Sequence, residues 1–122
     1  MNWYQKEISL NSKPRGIHLV TDEVINQLPE INKIKTGLIH IFIKHTSASI
    51  TLNENYDPDV RSDMAKYFDR SVKENEPWYS HNSEGSDDMP AHIKSTLIGN
   101  SLTIPITNGT PECWYLARHL SL

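Results

Sequence analysis

Three of the six histidines stand where side chains from separate elements can meet. His45 follows the most strand-like segment, His81 lies in a long polar loop, and His92 falls in the first turn of an expected helix. Acids accompany them: Glu54 and Asp57 beyond a second strand, and Glu84, Asp87 and Asp88 in and after the loop. Neutral imidazoles combined with carboxylates suit zinc or another borderline divalent metal. Histidine also moves protons near neutral pH. The spacing matches no helical His-Glu-x-x-His signature, so residue type carries this reading and spacing does not. Each residue also has a plainer role. His45 can close a strand, His81 and His92 can be solvated, and Asp87-Asp88 reads equally as a helix cap or as a ligand pair. His18, His40 and His119 are read as ordinary structural or surface residues. Thr46, Ser47 and Ser49 are turn hydroxyls unless a positioned base activates one. Ser83-Glu84-Gly85-Ser86 lacks the glycines and lysine of a phosphate loop, and Trp78-Tyr79 reads as a loop anchor.

The elements that must position these groups follow from periodicity. Trp3 to Leu10 alternates as a strand, Pro14-Arg15-Gly16 turns, and Ile17 to Val20 forms a second strand. Thr21 caps a helix whose inner stripe is Val24, Leu28 and Ile31, with Pro29 loosening its end. Gly37 to His45 puts Ile39, Ile41 and Ile43 on one face and Leu38, His40 and Phe42 on the other. Thr46-Ser47-Ala48 reverses the chain, and Ser49 to Asn53 returns as its partner with Ile50 and Leu52 inward. Asp57-Pro58 starts a helix carrying Val60, Met64, Tyr67, Phe68 and Val72 at helical spacing. Asn75 to Asp88 is a loop long enough to imply function. A third helix from Asp88 presents Ile93, Leu97 and Ile98 to the core and closes at Gly99-Asn100. Ser101 to Thr107 is a strand that Pro105 places at an edge or bulge. The order β-β-α-β-β-α-α-β describes an α+β domain with a mainly antiparallel sheet.

The 122 residues allow one domain. With 37% hydrophobic and 22% charged residues the chain is too apolar for a disordered tail. No apolar run reaches the roughly 20 residues of a membrane span, and no secretory signal opens the chain. A net charge of −3 without a basic stripe argues against nucleic acid. Cys113, the only cysteine, excludes an internal disulfide and a cysteine-based zinc site, so a cytoplasmic setting is expected.

Several motifs in fixed order resemble the YjbQ family, also called the secondary thiamine-phosphate synthase family. They are His45-Thr46-Ser47-Ala48-Ser49, Asn53-Glu54-Asn55 followed by Asp57-Pro58, and Asn75-Glu76-Pro77-Trp78-Tyr79 followed by His81. Asp88-Met89-Pro90-Ala91-His92-Ile93-Lys94 and Pro105-Ile106-Thr107-Asn108-Gly109 complete the set, so the resemblance runs from residue 1 to about 109. It implies a sandwich-like subunit of a homotrimer and a divalent metal of the zinc or magnesium class on His45, His81 and His92. Glu54 and Asp57 would be catalytic, and Thr46, Ser47, Asn53 and Lys94 would bind a small phosphorylated substrate. The implied activity is weak thiamine-phosphate synthesis; the other reading is a non-catalytic trimer that binds metal or a small anion.

After Gly109 the resemblance stops, and residues 110–122 form a divergent tail. Back-translated with suitable codons and read one base later, Cys113 to Leu122 yields Val-Gly-Thr-Trp-Gln-Gly-Ile-Tyr-Leu, which family members carry at this place. The expectation is a frameshift after Gly109, the family's last strands missing, an open sheet edge, poor stability and little activity. Resequencing the locus should reveal the displaced base; an intact frame encoding Cys113 to Leu122 would contradict the frameshift.

Overall fold

Alternation in the strands decides how the layers meet. In β2 (Thr36–Phe42), Ile39 and Ile41 turn inward while Leu38, His40 and Phe42 turn out. Their antiparallel partners in β4 (Ser101–Thr107) are Ile104 and Leu102, so both strands show one apolar face to the interior. The two-residue β5 (Thr110–Pro111) pairs with the end of β4 and completes a sheet of order β2-β4-β5. The computed structural model describes residues 3–112 and, for the backbone alone, 115–120.

A second antiparallel sheet holds β1 (Gly16–Leu19), β6 (Tyr115–Leu120) and β3 (Ala48–Asn53), with β6 in the centre. Val20, Val24 and Ile50 meet Ile104 in the core, with Ile39, Ile41 and Leu102 packed around them. α1 (Thr21–Ile25) supplies Val24, and the 3-10 turn at Pro29–Lys33 buries Ile31. The helices α2 (Pro58–Ser71) and α3 (Asp88–Ile98) contact the β1-β6-β3 sheet. The architecture is α+β and antiparallel, as expected. Asp57 caps α2 by accepting the Asp59 amide at 2.9 Å, with Pro58 in the first turn.

Five expectations are corrected. Residues 3–14 form no strand, because none of the described strands pairs with them; Trp3 and Tyr4 are exposed, while Ile8 and Leu10 pack against the core. β2 and β3 do not pair: the reversal after Phe42 hands the chain from one sheet to the other, with the Ile43 amide bonded to the Asn100 carbonyl and the Ile50 amide to that of Gly99. On α3 the buried residues are Pro90, Ala91 and Lys94, and Leu97 is exposed. Pro105 sits in the central strand of its sheet, tolerated because β5 covers only Ile106 and Thr107; its carbonyl accepts the Glu112 amide at 2.7 Å. Finally, residues after 109 do supply strands, β5 alongside β4 and β6 between β1 and β3. Cys113 and Trp114 lie outside the described residues.

The fully buried Lys94 ammonium donates to Asp69 Oδ1 at 2.6 Å, and Arg15 Nη2 donates to the same oxygen at 3.0 Å. Burial pushes the Asp69 carboxyl up, but the hydrogen bonds and charges of Lys94 and Arg15 outweigh it and hold the group below its ordinary 3.8. A carboxylate depressed in this way stabilises the fold above that pH, and the contribution fades as pH falls through the lowered value. Asp69→Ala should therefore cost about 3 kcal/mol at pH 7, the low end for stranding one member of a buried pair, because Asp69 itself keeps half its surface in water. Denaturant melts should show the deficit shrinking below pH 4, and a pH-independent deficit would contradict the pairing. Lys94→Met should be far milder, since it removes the charge that needs a partner.

Candidate functional site

α3 begins with two side chains on one face: Asp88 and His92 stand four residues apart and so lie one turn above each other. The loop before the helix brings in the third. His81 Nε2 lies 2.6 Å from Asp88 Oδ2, and His92 Nε2 lies 3.2 Å from the same oxygen. The two imidazoles meet edge to face with centroids 5.4 Å apart. One ligand atom from each of His81, Asp88 and His92 falls within 4.8 Å of the others. Asp88 is mostly covered, whereas the histidines are accessible from solvent. The hydrogen bond from His81 is the main reason the Asp88 carboxyl is held below its ordinary value.

The outer nitrogen of His92 decides what the group can hold. Nδ1 faces the Thr46 carbonyl at 3.0 Å, and a nitrogen facing a carbonyl must carry the hydrogen. Neutral His92 then turns the lone pair of Nε2 toward the Asp88 carboxylate. Two acceptors at that distance repel unless a positive centre, either a second proton or a metal ion, lies between them. An imidazole oriented by a backbone carbonyl through its other nitrogen is the usual arrangement around bound metals. Two histidine nitrogens and one carboxylate oxygen also form the donor set of open catalytic zinc sites.

The structure brings together His81 and His92 but not His45. The His45 ring bends back on its own turn, where Nδ1 receives the Ser47 amide at 3.0 Å and lies 3.0 Å from the Ser47 hydroxyl. Thr46 reaches the group through its carbonyl, and the buried Ser47 hydroxyl lies against His45 instead. Glu54 and Asp57 sit beyond the opposite end of β3, roughly 20 Å of strand away. There Asp57 caps α2, and the Asn53 side chain accepts the Glu54 amide at 2.8 Å. Asn53 also lines a cavity of about 160 Å³ with Ile17, Met64, Phe68 and Arg61. Lys94 is enclosed with Asp69 and presents no ammonium to solvent. Asp88 is the ligand candidate that sequence reasoning left equally a cap. Its carboxylate bonds the two histidines, and the N-cap residue Asp87 makes no side-chain cap bond.

A family-wide sequence profile described as UPF0047 protein YjbQ-like matches residues 6–113. The chain belongs to the YjbQ/UPF0047 family. It is 53% identical over 107 residues to the UPF0047 protein YjbQ of Escherichia coli O157:H7, covering 88% of this chain and 77% of that one. It is 41% identical to the UPF0047 protein sll1880 of Synechocystis, covering 87% and 71%. Among solved structures, an uncharacterised YjbQ/UPF0047 protein from Clostridium acetobutylicum superposes with a TM-score of 0.75 at 30% identity, covering 91% of this chain and 84% of that one. The hypothetical protein APE1520 of Aeropyrum pernix gives 0.76 at 25% identity, covering 92% and 83%. Membership in the YjbQ family fixes the fold and leaves the chemistry to be argued from the site.

Proposed function

We propose that this YjbQ-family chain holds a divalent, zinc-class ion on His81, Asp88 and His92 and uses it as a metal-assisted transferase on a small phosphorylated substrate in the cytoplasm. The observation that carries the reading is the His92 ring, whose hydrogen-bearing Nδ1 is committed to Thr46 while Nε2 and Asp88 Oδ2 face each other 3.2 Å apart. In thiamine-phosphate synthesis, the reaction the family resemblance implies, the thiazole nitrogen bonds to the pyrimidine methylene carbon as its bond to the diphosphate oxygen breaks. A bound metal ion would supply the charge that stabilises the departing diphosphate.

The residues of the chain supply the rest. Asp88 and His92 are fixed relative to each other by one helical turn, and Thr46 fixes the ring plane of His92. His81 leaves an open side toward solvent, where a substrate can approach. Glu84, 3.9 Å from His81 Nε2, is the nearby additional carboxylate, whereas Glu54 and Asp57 do not reach this group within one chain. Self-association into a homotrimer is part of the proposal. The outer face of β2 and β4, where Leu38, Phe42 and Pro105 are exposed, supports it as a surface to cover.

One observation favours the second reading, a non-catalytic metal-binding protein. Residues 75–88 contain Glu76, Glu84, Asp87 and Asp88 and no lysine or arginine, a setting that attracts cations and opposes a diphosphate. Metal analysis and turnover separate the two. The purified protein should carry about one zinc-class ion per chain, and His81→Ala, His92→Ala and Asp88→Ala should each lose it. With both thiamine precursors the metal-loaded protein should form product and the variants should not. Metal retained by all three variants would contradict the site, and bound metal without product would leave only the non-catalytic reading.

A further inference from the structure

We propose that Glu74 is a clamp that closes the loop over the metal group and so positions His81; the inference rests on the metal reading above. Asp88 and His92 need no help, since one helix carries both. His81 stands on an irregular segment between the end of α2 at Ser71 and the start of α3 at Asp88. That segment borders a cavity of about 230 Å³ lined by Asn75, Tyr79, His81, Asn82, Gly85 and Met89, and residues 80–86 are exposed. Tyr79 fastens only the first half, its hydroxyl donating to the Lys73 carbonyl at 2.8 Å and its amide to that of Glu76 at 3.0 Å.

Among the described residues, the side-chain bond that spans His81 from one side of the loop to the other is Glu74 to Ser86. Ser86 Oγ donates to Glu74 Oε2 at 3.1 Å. The other oxygen, Oε1, takes Arg15 Nη1 at 2.5 Å. Arg15 in turn donates through Nη2 to Asp69 on α2, and Asp69 takes the buried Lys94 on α3. Both carboxylate oxygens of Glu74 are thus engaged, one by Ser86 on the far flank of the loop and one by Arg15, which links it to Asp69 on α2. The Arg15 hydrogen bond also holds the Glu74 carboxyl below its ordinary value, so the clamp is ionised at neutral pH. Opening it returns the loop's closure entropy to His81 and leaves Asp88 and His92 in place.

The test is a double-mutant cycle read by zinc titration, with a proximity measurement that needs no metal. Glu74→Ala should weaken zinc binding 10- to 100-fold, the usual effect of losing a group that orients a ligand. Ser86→Ala, which removes one bond and leaves Arg15 in place, should weaken it less and serves if Glu74→Ala folds poorly. In a His81→Ala background, where the purified variant carries no ion but zinc added in excess still meets Asp88 and His92 weakly, neither change should alter that residual affinity, because the ligand they position is gone. Nuclear Overhauser contacts between the His81 and His92 rings should appear in the parent protein and fade in both single variants. Equal losses in both backgrounds, or ring contacts undiminished in the variants, would overturn the clamp. A parent protein that binds no zinc would sink the metal reading alone, and the ring contacts would still decide the positioning of His81.

Discussion

A single carboxylate oxygen, Asp88 Oδ2, is approached by two imidazole nitrogens, and the character of the site depends on that crowding. A lone carboxylate on an exposed helix start would be unremarkable. With the Nδ1 hydrogen of His92 committed to a carbonyl on a different element, the space between the ring and the acid must hold positive charge. The site therefore links three separate parts of the chain, the turn at Thr46, the loop at His81 and the first turn of α3.

The fold serves this convergence by layering. One sheet face packs on the other sheet, and α3 crosses the outer side of the β1-β6-β3 sheet near the start of β3. Ser95 on α3 donates to the Ala48 carbonyl at 2.9 Å, which fixes the helix beside the turn that carries Thr46. Lys94, one residue before, is buried and pairs with the half-exposed Asp69, which also takes Arg15. Such a pair adds little net stability over apolar packing but is costly to break, so it fixes one arrangement of α2 against α3.

Much of this is legible in the sequence where a local signal coincides with the tertiary role. The alternation of Ile39 and Ile41, the Asp57-Pro58 start and the glycine closing α3 all read correctly because each is decided within a few residues. The pairing of strands is not decided there: a short reversal after Phe42 looks like a hairpin, yet the partner of β2 comes some sixty residues later in β4. Lys94 escaped the core reading because helical periodicity counts apolar residues, and a buried ammonium is recognised only through a partner on another helix. Asp88 was ambiguous because a cap and a ligand call for the same residue type. Glu54 and Asp57 follow one strand and His45 precedes it, and only the strand's length shows how far that separates them.

The most direct measurement is an anomalous difference map at the zinc edge from crystals grown with zinc. A single strong peak should lie between His81 Nε2, His92 Nε2 and one oxygen of Asp88, at about 2.0–2.2 Å from each. A map without density at that position, in crystals that bind zinc elsewhere or not at all, would contradict a metal site at His81, Asp88 and His92.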